Sequence, residues 1–332
     1  MDVRSILHTK LCDFIGIDYP ICQAGMGFVA PAQLAFAVSS AGGLGVIGAG
    51  SMTADELRED IHRVKDSTDK PYGVDILFAQ IKTEKTDEVI QYTDEVNRQI
   101  EVVLTENVPV LISGLGSPAG VVQDAHSHGI IVMSLAGNVK QAKRMADAGV
   151  DVIIAQGHEA GGHTGRIGTM PLVPQIVDAV EVPVLAAGGL VDGRGLVASL
   201  FLGASGIWMG TRFVASEEAQ AHFNYKNKIV EITEEGTVIS RCHSGKPCRL
   251  IRNRFTDSWE GREKDILPFP LQAIQVGYEA SVKARYEGKT EEGGMPAGQG
   301  SGLIKAIKPA GQIVRDIMAE AVAILENDIY RR

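Results

Sequence analysis

Eight short apolar runs, rich in Val and Ile, recur between residues 18 and 211: Tyr19 to Cys22, Leu44 to Ile47, Tyr72 to Leu77, Pro109 to Ser113, Ile130 to Ser134, Val150 to Ala155, Val182 to Ala187 and Gly206 to Met209. Runs that are apolar throughout belong to strands buried on both faces, whereas half-buried strands alternate. Segments of helical period separate them. Leu57, Ile61 and Val64 mark one such face; Val139, Ala142 and Met145 mark another, with Asn138 placed to cap its start and Gly149 to end it. Strand and helix repeated eight times predict an α/β fold, a parallel (β/α)8 TIM barrel. An open doubly wound sheet fits the same alternation. Eight units with glycine-rich exits from the seventh and eighth strands favour closure.

The chain has 332 residues, more than the ~250 such a barrel takes. After Phe213 the pattern breaks: residues 217–309 are more charged, contain the basic run CRLIRNRF and end in the Gly-rich GGMPAGQGSG. The expected organisation is a cofactor-binding barrel over 1–216, a smaller and mainly helical substrate-covering domain inserted over 217–309, and a C-terminal helix over 310–332 that returns to the barrel.

Thirty-two Lys and Arg against 41 Asp and Glu leave a net charge of −9. That charge opposes nonspecific binding to nucleic acid or an anionic membrane, so a small-molecule substrate is the default. Cys12, Cys22, Cys242 and Cys248 form no CxxC pair and suggest neither a zinc site nor a disulfide framework. The N-terminus lacks the uninterrupted apolar core of a secretion signal, and no apolar run approaches the ~20 residues that span a bilayer. A cytoplasmic protein is expected, and a homodimer is left open.

Two glycine exits carry the strongest chemical signal, AAGGLVDGRG after the seventh strand and WMGTRF after the eighth. In barrels of this kind these loops are the usual phosphate site, because glycines let backbone N–H groups approach an anion. Gly188, Gly189, Gly210 and Thr211 are the expected cradle; otherwise these glycines only make tight turns. The loop AQGHEAGGHTG leaves the sixth strand with two histidines among four glycines, and His163 is the better catalytic candidate. His158 and His163 could instead ligate a metal, but no cluster at other strand ends completes a coordination set, so none is expected. A structural histidine bonded to backbone is the plainer alternative, above all for His158. No Lys sits at a strand end and no Cys occurs between Cys22 and Cys242, so covalent chemistry by the protein is disfavoured. A phosphate-bearing cofactor then carries the hard step. At the first strand's end, QAGMGFVAP offers a flat, glycine-containing backbone suited to a planar ring.

Taken together, QAGM, YGVDIL, AQGHEAGGHTG, VPVLAAGGLVDGRG and WMGTRFVAS resemble the nitronate monooxygenase family, formerly called 2-nitropropane dioxygenases. The set resembles almost equally the related FMN-dependent enoyl-acyl-carrier-protein reductases and NADH:quinone reductases. The likeness spans about residues 8–216 and resumes at AGQGSGLI near 297–304. What it implies is FMN in the barrel, with Ala24, Gly25 and Met26 by the isoalloxazine, Asp75 and Gln156 at its polar edge, and Gly161 and Gly162 on the sixth-strand side. Gly188, Gly189, Met209, Gly210 and Thr211 hold the phosphate end on this reading, and His163 matches the family's active-site histidine. Asp75 stands where many relatives carry Asn, and Ser134 where some place Lys; both changes alter flavin potential. The leading function the resemblance implies is oxidation of alkyl nitronates by O2. The alternative is reduction, with NAD(P)H as co-substrate and an enoyl thioester of ACP or CoA, or a quinone, as acceptor. Arg249, Arg252 and Arg254 would then meet the phosphates of a nicotinamide or CoA carrier; otherwise they are a solvated basic face.

Overall fold

The computed structural model describes residues 3–78 and 93–326. Each of the eight apolar runs contains a strand: β1 (Ile21–Gln23), β2 (Gly45–Gly48), β3 (Tyr72–Phe78), β4 (Val110–Gly116), β5 (Ile131–Ala136), β6 (Val152–Gln156), then, after the two-residue β7 (Gly162–His163) that lies outside the barrel, β8 (Val184–Ala187) and β9 (Gly206–Met209). The barrel strands pair in parallel in the order β1, β9, β8, β6, β5, β4, β3, β2. The seam between β1 and β2 is closed by a single parallel bridge, Cys22 to Leu44. Gln23 completes it with its side chain, whose Oε1 accepts from Val46 N at 2.9 Å and whose Nε2 donates to Val46 O at 3.1 Å. An amide is the side chain that can mimic a peptide group in this way. The structure is thus a (β/α)8 TIM barrel.

Strand side chains such as Val46, Ile112, Met133, Ile154 and Leu185 fill the barrel, and Leu11, Cys12 and Ile15 of the helix Lys10–Ile15 join the same cluster. A second cluster lies between the strands and the surrounding helices, where Leu57, Ile61 and Val64 pack. The helix Val139–Asp147 begins as expected, with Asn138 Oδ1 accepting from Gln141 N at 2.9 Å, and Gly149 takes a left-handed φ of 90° beyond its end.

The chain leaves the barrel at Ser216 and returns beside it, where Ser216 and Lys308 form a parallel bridge. Buried Arg212 ties both ends of the excursion by donating from Nη2 to Ala215 O at 2.6 Å and Ala306 O at 2.8 Å. Within it, the expectation of a mainly helical segment overlooks a sheet: β10 (Thr237–Ser240) and β11 (Cys248–Ile251) form an antiparallel pair, and β7 adds to the free edge of β11. The C-terminal helix Ala310–Glu326 packs on the helix Gly193–Phe201. Glycine at 193 permits the close crossing, since a Cβ there would sit 2.5 Å from Ala321 N.

Candidate active site

The C-terminal ends of the barrel strands and the excursion after Ser216 enclose a cavity of about 390 Å³. Every residue expected to hold the flavin, and the catalytic candidate His163, line it: Ala24, Gly25 and Met26 after β1, Asp75 on β3, Gln156, Gly161, Gly162 and His163 on or after β6, Gly188 and Gly189 after β8, and Met209, Gly210 and Thr211 at the end of β9. Arg249, Arg252 and Arg254 do not. Arg249 is buried elsewhere, donating from Nε and Nη2 to His158 O at 3.2 and 3.0 Å and from Nη1 to Thr237 Oγ1 at 3.1 Å. Arg252 pairs at the surface with Asp257 and Glu260, and Arg254 is exposed. The cluster expected to meet carrier phosphates is divided between a structural strut and a solvated face, because Arg249 lies on buried β11 whereas Arg252 follows the strand's end and Arg254 opens the helix Arg254–Asp257 at the surface.

The β8 exit requires glycine. Gly188 and Gly189 have φ of 104° and 73°, a region that side-chain-bearing residues rarely enter. A Cβ on Gly188 would also lie 2.9 Å from Thr169 Oγ1 and 3.1 Å from Gly157 O. The AGQGSG run lies against both exits: a Cβ on Gly300 would sit 2.8 Å from Gly189 O, and Gly298 N donates to Thr211 Oγ1 after β9 at 2.9 Å. Thr211 therefore keeps its hydroxyl proton for a ligand.

The loop after β6 is pinned at both ends. Glu159 accepts from Thr169 N at 2.9 and 3.1 Å and from Thr169 Oγ1 at 2.9 Å, which anchors the loop to the helix Thr169–Val177. His158 takes the structural role, its Nδ1 bonded to Gly165 O at 2.9 Å. At the far end, β7 pairs with β11, placing His163 opposite Cys248. His163 Nε2 lies 2.7 Å from Ser244 Oγ, in the turn between β10 and β11, and among the described residues Nδ1 has no hydrogen-bond partner. Gln156 Nε2 donates to the His163 carbonyl, leaving its Oε1 as the polar atom free for a ligand.

Burial, reinforced by the charges of Lys246 and Arg285, drives His163 down to about 4. The unperturbed value of ~6.5 expected from sequence is thus displaced, and the imidazole is neutral at neutral pH. Asp75 shifts the opposite way. Burial pushes its carboxyl well above the usual range, against a weaker lowering by a hydrogen bond from Gly114 N. Gly25 and Gly114 leave it space, since a Cβ on either would come within 2.4 Å of its side chain. Its Oδ1 is buried without a partner among the described residues. The shift favours the protonated form, which would offer a neutral, amide-like group where many relatives are expected to carry Asn.

Sequence reasoning missed the facing wall. His243, Ser244 and Arg285 all line the cavity from the segment after Ser216. Burial drives His243 down to about 3, helped by Arg285 and His163. Its ring fits because Gly294 and Gly277 lack side chains; a Cβ on Gly294 would sit 2.9 Å from His243 Nδ1. The HSG turn between two apolar runs was a usable signal for His243 and Ser244. Arg285 sits among charged residues in VKARYEGK, with nothing local to mark it.

A family model described as nitronate monooxygenase matches residues 8–320. A probable nitronate monooxygenase from Staphylococcus saprophyticus is 34% identical, covering 97% of this chain and 99% of its own. Among solved structures, FabK from Thermotoga maritima superposes with a TM-score of 0.87 at 37% identity, over 96% of this chain and 97% of that one. A nitroalkane oxidase from Streptomyces ansochromogenes gives 0.84 at 30% identity, over 94% and 98%. With the match running through the barrel, the excursion and most of the returning helix, this chain belongs to the nitronate monooxygenase family and is a flavin-dependent oxidoreductase.

Proposed function

We propose that the protein binds FMN in the barrel mouth and oxidises alkyl nitronates with O2. The observation that carries this reading is that the β8 and β9 glycine exits and the His163 loop, far apart in sequence, line one cavity. Its volume of about 390 Å³ falls within the range of cofactor and ligand pockets. Gly188, Gly189, Met209, Gly210 and Thr211 would hold the phosphate end, with backbone and the Thr211 hydroxyl as donors. Ala24, Gly25 and Met26 would lie beside the ring, Asp75 and Gln156 Oε1 would meet its polar edge, and Gly161 and Gly162 would line the β6 side. When bound, FMN supplies the electron transfer between substrate and O2.

His163 orients the substrate through Nδ1. Depending on tautomer, that nitrogen presents a proton to a nitronate oxygen or a lone pair to the acidic C–H of a neutral nitroalkane. Ser244 fixes the ring by bonding Nε2. Segment 217–309 acts as the cover, a domain that contributes side chains to the site and excludes water from it. The reductive alternative is weakened because its expected phosphate-binding arginines lie off the cavity. Flavin extraction and oxygen-electrode assays test the reading. The protein should carry noncovalent FMN and consume O2 with an alkyl nitronate; recovery of FAD, or turnover confined to NAD(P)H with a quinone or enoyl thioester, would overturn it.

A further inference from the structure

Arg285 lies in the helical segment Val282–Tyr286 and reaches the cavity with only 7% of its surface exposed. Nε donates to Gly294 O at 3.3 Å and Nη1 to Gly27 O at 3.2 Å, and the guanidinium sits 5.4 Å from the centre of the Phe28 ring. Among the described residues no carboxylate lies within ion-pairing distance of it, and Nη2 has no hydrogen-bond partner. The cavity offers Arg285 no ion-pair partner among the described residues: Asp75 is the acidic residue lining it, no salt bridge joins the two, and burial raises that carboxyl well above its usual range. Both histidines beside Arg285 are neutral, partly because of its charge.

A guanidinium stays protonated even when buried, and a buried charge without a partner is costly. Two carbonyls and one aromatic face compensate it in part. The remaining N–H groups are those that recognise a pair of oxygens on one centre, as in a carboxylate or a nitronate. We propose that Arg285 binds the anionic oxygens of the substrate and makes the site selective for a nitronate anion over its neutral nitroalkane. This deepens the functional reading above and rests on it for the identity of the anion.

The test is titration of the FMN-loaded enzyme with nitrate, a planar, unreactive anion with the same O–N–O geometry, followed by flavin absorbance at constant ionic strength. Wild type should show saturable binding. Arg285→Met should weaken it by about 10- to 100-fold, the loss of one charged hydrogen-bonded contact. Arg285→Lys should recover part of the loss, and FMN affinity should be unchanged in both. KM for an alkyl nitronate should rise in Arg285→Met by a similar factor, with KM for the neutral nitroalkane unmoved. A wild-type enzyme that binds no nitrate overturns the proposal, as does an Arg285→Met enzyme that binds it normally or loses FMN affinity in step. The wild-type and Arg285→Lys titrations decide the matter if Arg285→Met does not fold. An enzyme that binds nitrate through Arg285 yet oxidises no nitronate would refute the functional reading and leave the anion site standing.

Discussion

The two walls of the cavity are built from different material. On the barrel side, Gly25, Gly161, Gly162, Gly188, Gly189 and Gly210 present backbone, and the carboxyl of the one acidic side chain, Asp75, is raised well above its usual range by burial. On the opposite side, His243, Ser244, Tyr278 and Arg285 present rings, a hydroxyl and a charge. Backbone N–H groups are the same at every residue, so a wall made of them recognises shape and a phosphate without depending on side-chain identity. Discrimination between substrates needs specific charges and donors, and these come from the cover. On the proposed reading, cofactor retention falls to one wall and substrate choice to the other, with His163 standing where they meet.

That division is most sharply tested at Gly210. A Cβ here would meet Met26 Sδ at 3.4 Å and Ala24 Cβ at 3.7 Å, ordinary contacts, so Gly210→Ala should keep its flavin. Gly210→Asp adds a carboxylate on the cavity side and should lose flavin altogether, with the apoprotein's Tm little changed. Full FMN occupancy in Gly210→Asp would place the phosphate elsewhere and end the barrel wall's claim to the cofactor.

His163→Ala comes next in size. It should retain FMN and lose ~10²–10⁴ in turnover of a neutral nitroalkane, where a proton must move. A preformed nitronate has already lost that proton, so its loss should be smaller and appear partly in KM. The wild-type kcat/KM for the neutral substrate should fall on its acid side near pH 4, where His163 titrates, and not near 6.5. Wild-type turnover of both substrates by His163→Ala with normal flavin content would leave the residue a packing histidine.

The barrel wall was legible in the sequence for the same reason that it is generic. Buried parallel strands write continuous apolar runs, and the loops after β8 and β9 place glycines at positions the fold itself predicts. The existence of a covering segment was legible, but the side chains it brings to the cavity were not. His163 is held by Ser244, 81 residues later, and β7 is a two-residue strand that exists because β11 offers it a free edge. Tertiary pairing decides such an element, and no local pattern announces it. The basic run CRLIRNRF misled for a related reason: charge is visible in sequence, but where the strand ends and which of its residues pack inward are set by tertiary contacts. Arg249 turned inward to the His158 carbonyl, while the cation that lines the cavity without an ion pair among the described residues proved to be Arg285.

The smallest expected effect concerns the pH dependence of apoprotein stability, and it reads the charge of each wall separately. His163 and His243 titrate near 4 and 3 in the folded chain against 6.5 in the unfolded one. Their contribution to stability is complete above pH 6.5 and is lost as pH falls through the folded values, because the unfolded chain takes up two protons that the folded chain refuses. Asp75 has the opposite sign. Its folded value lies above the usual 3.8, so its contribution is complete below that value and is lost as pH rises through the raised one. Between pH 6 and 5, taken as a window for measurement of about one unit, each proton corresponds to at most about 1.4 kcal/mol per pH unit. To the extent that Asp75 is still protonated in the folded chain across this window, it offsets up to one of the two histidines. Urea titrations of the apoprotein across this window should show Asp75→Asn losing stability on acidification more steeply than wild type, by up to one proton's slope. Replacing both histidines with Asn should lower the slope by up to two protons, enough to cancel or reverse the contribution of these three groups. If Asp75→Asn and wild type run parallel, Asp75 is ionised in the folded protein, the barrel wall carries a charge after all, and Arg285 has its counter-ion across the cavity.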